Sequence, residues 1–275
     1  MSSYEDYTRA SAEYDQTRVA VGEEIVLGAL TKGRVPPRSA RLLDAGCGTG
    51  SYAAAVEAHV GSLTLLDASE DMLLRARKKL ADADGAEFHQ GWLQQLPFDD
   101  SSFDAVMTNQ VLHHIGDDDG GSWTEHEKVF AEYGRVLRPG GVLVVNTCSQ
   151  LQLRHGYWYY TLIPAAVGVL RRQYAPLSVI ERLAAQNELT VTGRFVPVGD
   201  TIQGPAYFDG AGPLSASWRL GDSTWSLADE EELAAATEKV AALREKDELE
   251  NFVAEHDARR DSIGQITFVV ARFPA

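Results

Sequence analysis

An aspartate followed by three glycines at alternate positions, Asp44-Ala45-Gly46-Cys47-Gly48-Thr49-Gly50, is the stretch of this chain best suited to chemistry. It follows the apolar pair Leu42-Leu43 and leads into a small, Ala-rich helical segment, so the pattern is strand, glycine turn, helix. Where Cβ atoms are missing at alternate positions the backbone can approach a ligand closely, and the loop has the character of a nucleoside-cofactor cradle. A pyrophosphate-binding dinucleotide loop wants its third glycine at position 51, where this chain has Ser51. A P-loop is excluded because no Gly-Lys-Ser/Thr follows. Seventeen residues past Gly50, the apolar pair Leu65-Leu66 ends in Asp67, whose carboxylate can accept hydrogen bonds from vicinal ribose hydroxyls. Ser69-Glu70-Asp71-Met72 then opens a helix with a capping residue and an acidic first turn. Met72 has two uses, lying flat against an adenine ring or packing in the core.

The elements that must position these residues follow from the hydrophobic periodicity. Residues 1–36 read as an N-terminal helical arm, helical over about 4–32 and ended by Pro36-Pro37. Strand and helix patterns then alternate: strand 41–45, helix 50–59, strand 63–67, helix 69–80, and strands 87–90 and 103–108. A helix at 122–137 and a strand at 142–147 complete the run. This alternation predicts an α/β fold with a doubly wound parallel sheet, in which ligands sit at the carboxyl ends of the strands. The second half is less regular. It carries the aromatic run Tyr157-Trp158-Tyr159-Tyr160, a helix over 176–186, a strand over 189–198, and a Gly-, Pro- and Ser-rich loop over 199–226. A charged helix from 228 to about 259 and a last strand over 265–272 follow.

Composition narrows the function. The 275 residues are 44% apolar, enough for one sizeable domain with a lid. Forty acidic against 25 basic residues, a net charge of −15, repel phosphate backbones and argue against a nucleic-acid partner or an anionic membrane surface. Cys47 and Cys148 offer neither a disulfide framework nor metal-ligand spacing, so no metal and a reducing, cytoplasmic location are expected. No secretory signal and no apolar run of membrane-spanning length is read in the sequence, so no membrane insertion is expected.

Five segments in order resemble the class I S-adenosylmethionine-dependent methyltransferases of the small-molecule type, related to the ubiquinone and menaquinone methylation enzymes. They are residues 42–50 and 65–72, Gln95-Leu96-Pro97-Phe98 with residues 102–106, residues 109–115 (Asn-Gln-Val-Leu-His-His-Ile), and residues 135–141 (Arg-Val-Leu-Arg-Pro-Gly-Gly). The resemblance covers roughly residues 40–147 and implies a Rossmann-like, mostly parallel seven-stranded sheet. It also implies a cofactor-binding core over 40–147, a cap with substrate-specificity elements over 150–262, and a last strand over 263–275. By resemblance, Gly46, Cys47, Gly48 and Gly50 hold the methionine portion of S-adenosylmethionine with Asp44 near its amino group. Asp67 takes the ribose, and Ala68 and Met72 border the adenine. The family's usual adenine-binding Asp is replaced here by Gln90-Gly91-Trp92-Leu93, so Trp92 and Leu93 stand in its place as ring or backbone contacts. Asn109 and Gln110 close the fourth strand against the cofactor. Adjacent helical histidines point about 100° apart, so only one of His113 and His114 faces the site, and the resemblance selects His114, also the candidate proton acceptor. Tyr14 and Arg18 of the arm, four apart on one helix face, are similar to a Tyr-Asp-x-x-Arg segment that folds over the cofactor.

The acceptor is expected to be a small molecule, with oxygen, nitrogen or sulfur as the nucleophile. Tyr157, Trp158 and Tyr160 can shelter a cation or stack on a flat ring, or fill a hydrophobic seam, and Arg219 can contact an acceptor carboxylate or serve the surface. Two alternatives remain open at this level: a fold relative that uses the same cofactor for other chemistry, and a non-catalytic cofactor-binding protein.

Overall fold

Four strongly apolar runs, each five to seven residues long and buried almost without alternation, need cover on both faces. The computed structural model, which describes residues 19–83, 85–116 and 121–275, supplies it. The described residues fall into two compact units.

The first unit comprises residues 22–147, 175–195 and 267–275 and holds a seven-stranded sheet. Its strands are β1 (Arg41–Ala45), β2 (Ser62–Asp67), β3 (Ala86–Gln90), β4 (Phe103–Asn109), β5 (Leu137–Thr147), β6 (Thr190–Phe195) and β7 (Thr267–Arg272), in the spatial order β3-β2-β1-β4-β5-β7-β6. The strands β1 to β5 are mutually parallel, while β7 runs antiparallel between β5 and β6. This is the mostly parallel, doubly wound sheet expected. The order reverses beside β1, and a ligand crevice belongs at the carboxyl ends of β1 and β4.

Helices α1 (Glu23–Leu30), α2 (Ser51–Val56), α3 (Glu70–Lys79), α4 (Thr124–Val136) and α5 (Leu177–Gln186) belong to the same unit. One core cluster joins Val129, Phe130, Tyr133 and Val136 of α4 and Ile180, Leu183 and Ala184 of α5 to Leu43, Val106, Leu143 and Val145 of the strands. Each fully buried aliphatic side chain there stabilises the fold by about 1.5–3 kcal/mol. Of the expected arm, the described part is helical over Glu23–Leu30. The fifth strand begins at Leu137, five residues before the expected Val142. Its start is held by backbone bonds to the chain end, Gly140 N–H to Pro274 O at 2.7 Å and Phe273 N–H to Gly141 O at 2.9 Å. Strand β6 stops at Phe195 rather than running to 198.

The second unit comprises residues 148–174 and 196–266 together with the described residues 19–21. The expected single charged helix is two, Glu230–Glu245 and Leu249–Asp257. Asp247 adopts φ 59°, and the N–H groups of Asp247 and Glu248 donate back to Arg244 O and Leu243 O, the bonding of a Schellman stop. The Gly- and Pro-rich stretch is not an open loop but a series of short 3₁₀ turns, Gly204–Phe208, Gly212–Leu214 and Ser223–Leu227, with one helical turn at Ala216–Arg219.

Candidate functional site

The cradle is assembled by the ends of β1, β2 and β4. At the end of β1, Gly46, Gly48 and Gly50 take φ values of +78°, +53° and +77°. The N–H groups of Gly46 and Cys47 both donate to Leu66 O, at 2.8 and 3.0 Å, and pin the turn to β2. Space as well as dihedral demands glycine at 46, where a Cβ would come within 2.7 Å of Val111.

Asp67 at the end of β2 closes the turn from the other side. Its Oδ2 accepts from Gly48 N–H at 2.8 Å and its Oδ1 from Ser69 N–H at 2.9 Å. Burial raises this carboxyl above its ordinary range, and the N–H groups of Ser69 and Gly48 partly offset that. Ser69 caps α3, accepting from Met72 N–H at 3.4 Å, and Met72 is buried beneath. Ala68 O accepts from Gln90 Nε2 at 3.0 Å, so the glutamine in the region of the missing acid is tied to the backbone beside Asp67. Trp92 is 55% exposed, so its indole fills no core gap, whereas Leu93 is buried in the core cluster.

Asp44 is the electrostatic anomaly. It is buried, receives Asn109 Nδ2 at 3.5 Å, and desolvation pushes its carboxyl up to about 7, with Asp67 adding to the rise. Asn109 Oδ1 is buried with no hydrogen-bond partner. Gln110, one residue on, takes φ 51°. The two histidines sit in a 3₁₀ turn, Leu112–His114, with His113 buried and His114 exposed and the ring centroids 3.9 Å apart. The Cys47 thiol is buried and pushed up by desolvation and by Asp44. Tyr14 and Arg18 lie outside the described residues.

In the second unit, Tyr157, Trp158 and Tyr160, for which contact with an acceptor and a hydrophobic seam were both open, have their rings covered by other side chains. All three are buried. Tyr157 stacks on Tyr160 at 4.4 Å, and Trp158 donates Nε1 to Tyr207 O at 2.7 Å while packing edge-on against Tyr159. The polar ends converge on Asp222: Tyr159 Oη donates to its Oδ2 at 2.5 Å, and Thr224 donates to its Oδ1 from both N–H (2.9 Å) and hydroxyl (2.6 Å). Large aromatic bodies bury apolar area only if their hydroxyls find partners, and Asp222 supplies them. Asp222→Ala should therefore destabilise this unit by about 2–4 kcal/mol, by removing the acceptor that Tyr159 and Thr224 share. Denaturant unfolding followed by fluorescence of Trp158, Trp218 and Trp225 measures it, and a loss below about 0.5 kcal/mol, the ordinary scatter of surface substitutions, would refute it. Arg219, half-buried, donates Nη1 to Pro213 O at 2.6 Å.

Residues 43–145 match the family model described as "Methyltransferase domain". The stretch that builds the glycine turn and the strand-end carboxylates is thus similar to a methyltransferase domain. Strands β1, β2 and β4 and every cradle residue described above lie in or beside the matched residues. The chain is 34% identical over 160 residues to a demethylmenaquinone methyltransferase of Clavibacter sepedonicus, covering 56% of this chain and 62% of that one. It is 33% identical over 159 residues to a malonyl-[acyl-carrier protein] O-methyltransferase of Erwinia pyrifoliae, covering 58% and 55%. The matched segment thus spans about three fifths of these relatives' lengths. A solved structure described as a methyltransferase from an antibiotic biosynthesis pathway of Anabaena variabilis shares the fold. Its TM-score is 0.72 at 22% identity, covering 93% of this chain and 98% of that chain. Among the described residues no helix is long and apolar enough to cross a membrane.

Two residues beside the cradle were not selected from the sequence, Tyr52 and Asn146. Asn146 left a signal there, a lone amide after the apolar run 142–145 in a strand buried on both faces.

Proposed function

We propose that the protein transfers the methyl group of S-adenosylmethionine to a nucleophilic atom of a small-molecule acceptor. The observation that carries this reading is the pairing of Asp44, a buried carboxyl with no cationic partner among the described residues, with the unpartnered Oδ1 of Asn109. A primary ammonium, such as that of the cofactor's methionine portion, would give Asp44 a counter-charge and Asn109 a donor at once. Gly46, Cys47, Gly48 and Gly50 would then offer their backbone to the methionine portion, with Asn109 and Gln110 beside it. Asp67 would take the ribose: each of its oxygens holds one N–H, and a carboxylate has about four acceptor sites, so roughly two remain. Ala68, Met72 and Leu93 would border the adenine, with Trp92 as an exposed cover.

Bound there, the cofactor supplies an electrophilic methyl on a sulfonium. This chain's residues contribute orientation and exclusion of water, which carry most of the catalysis of an in-line displacement. His114 is the candidate proton acceptor for an oxygen or nitrogen acceptor. The net charge of −15 supports a small molecule over a nucleic acid, and two free cysteines support a reducing, cytoplasmic setting.

A labelled-methyl screen over carboxylates, amines, thiols, thioethers and phenols tests the reading. S-adenosylhomocysteine formed in step with a methylated product is expected, and cofactor binding without turnover across the panel would overturn it. Asp67→Ala should weaken S-adenosylhomocysteine binding by about 1–3 kcal/mol in calorimetric titration. Unchanged affinity would remove Asp67 from the ribose site.

A further inference from the structure

The cradle depends on a turn that should not hold by itself. Gln110 has left-handed backbone, φ 51°, a region that costs any residue with a Cβ. The turn matters because it brings Val111 against Gly46, where an added Cβ would meet the valine at 2.7 Å. A left-handed residue persists only where its surroundings over-determine it.

Two of the bonds that hold this turn come from one residue. Asn146, near the end of β5 and 1% exposed, lies opposite Asn109 in the β4–β5 register. Its backbone oxygen accepts Gln110 N–H at 2.9 Å, and its Oδ1 accepts Gln110 Nε2 at 2.9 Å. Its Nδ2 donates to Tyr52 Oη at 2.8 Å, in the first turn of the helix that the glycine loop opens. One buried amide thus grips the turn that seats Val111 on Gly46 and the helix that begins after Gly50.

We propose that Asn146 is a positioning residue for the cofactor site, acting through Gln110 and Tyr52 and without contact to the ligand. It holds residue 110 in the left-handed conformation and so sets the entrance and exit of the glycine loop together. An aspartate at 146 would put an unpaired charge against Asp44's side of the sheet, and an aliphatic residue would release both side-chain bonds and leave the turn only the backbone bond from Gln110 N–H. The inference rests on the cofactor reading above.

Because glycine adopts φ near +50° without cost, a double-mutant cycle tests it. Wild type, Asn146→Leu, Gln110→Gly and the double variant are titrated with S-adenosylhomocysteine and unfolded thermally. Asn146→Leu is expected to weaken binding about tenfold when Gln110 is present. In the Gln110→Gly background, where nothing needs holding, the loss is expected to be less than about twofold. Equal losses in both backgrounds would overturn the proposal, since a simple packing defect is not rescued by a change of residue 110. If Asn146→Leu does not fold, Gln110→Met removes the same bond from the other side and is expected to weaken binding several-fold; wild-type affinity in that variant overturns the proposal. Failure of the wild type to bind S-adenosylhomocysteine would count against the cofactor reading alone. The thermal cycle, with a destabilisation by Asn146→Leu that is smaller in the Gln110→Gly background, still decides the brace.

Discussion

Gly46→Ala is expected to weaken S-adenosylhomocysteine binding by 100-fold or more. Two costs add at this position. The backbone φ of +78° is unfavourable for a residue with a Cβ by about 1–2 kcal/mol. The new methyl would lie 2.7–3.0 Å from three atoms of Val111, including its Cβ, and overpacking of that kind costs about 1–3 kcal/mol. A branched valine so near its own backbone cannot swing aside, so the loop must move instead. Gly48→Ala is the control: its φ is +53° and nothing lies within 4 Å of its missing Cβ, so only the dihedral cost of about tenfold is expected. The double variant Gly46→Ala with Val111→Ala should recover part of the loss. Equal affinities for the Gly46 and Gly48 variants in calorimetry would show that the contact with Val111 does not shape the site.

Acid should weaken cofactor binding through Asp44. Burial pushes this carboxyl up to about 7, so below that pH it is largely protonated and an incoming ammonium must first expel the proton. Affinity for S-adenosylhomocysteine is therefore expected to fall toward tenfold per pH unit below 7, about 50-fold between pH 7 and pH 5. Asp67, also raised, acts in the same direction, so the difference between wild type and Asp44→Asn isolates Asp44. The variant should bind more weakly at pH 7 and with a shallower pH slope. A wild-type affinity flat from pH 5 to 7 would refute the assignment. The same shift has a consequence for stability. Between a carboxyl's ordinary value near 4 and the raised value near 7, the unliganded fold binds the proton that the unfolded chain has released. Asp44 therefore lowers stability as pH rises through that interval, and an ammonium ligand reverses the penalty.

The parts of the site legible in the sequence are those made by one continuous stretch of chain. The strand, glycine turn and helix over residues 41–56 sit where the pattern places them. So does Asp67, whose distance along the chain is that of one βαβ crossover. Local backbone preferences and hydrophobic period decide such segments, and both are written in order. The family resemblance reached the same residues by the same local signals. Trp92 shows the limit. Its identity was visible, but its 55% exposure depends on what packs beside β3.

The sequence by itself determined the fold class and the strand, glycine turn and helix at the end of β1, because glycine spacing, strand-end acids and apolar runs act through nearest neighbours. The tertiary structure alone decided the rest. It brought Asn146, 36 positions from Gln110 and 94 from Tyr52, to hydrogen-bond both. It turned Tyr157, Trp158 and Tyr160 inward, with Trp158 bonded to Tyr207 and Tyr160 to Asp222 and Thr224, rather than leaving their faces open. It also removed Asp44 from water, without which that carboxyl would titrate like any other. Desolvation and long-range hydrogen bonds depend on which distant segments meet, and no periodicity in a single chain records that.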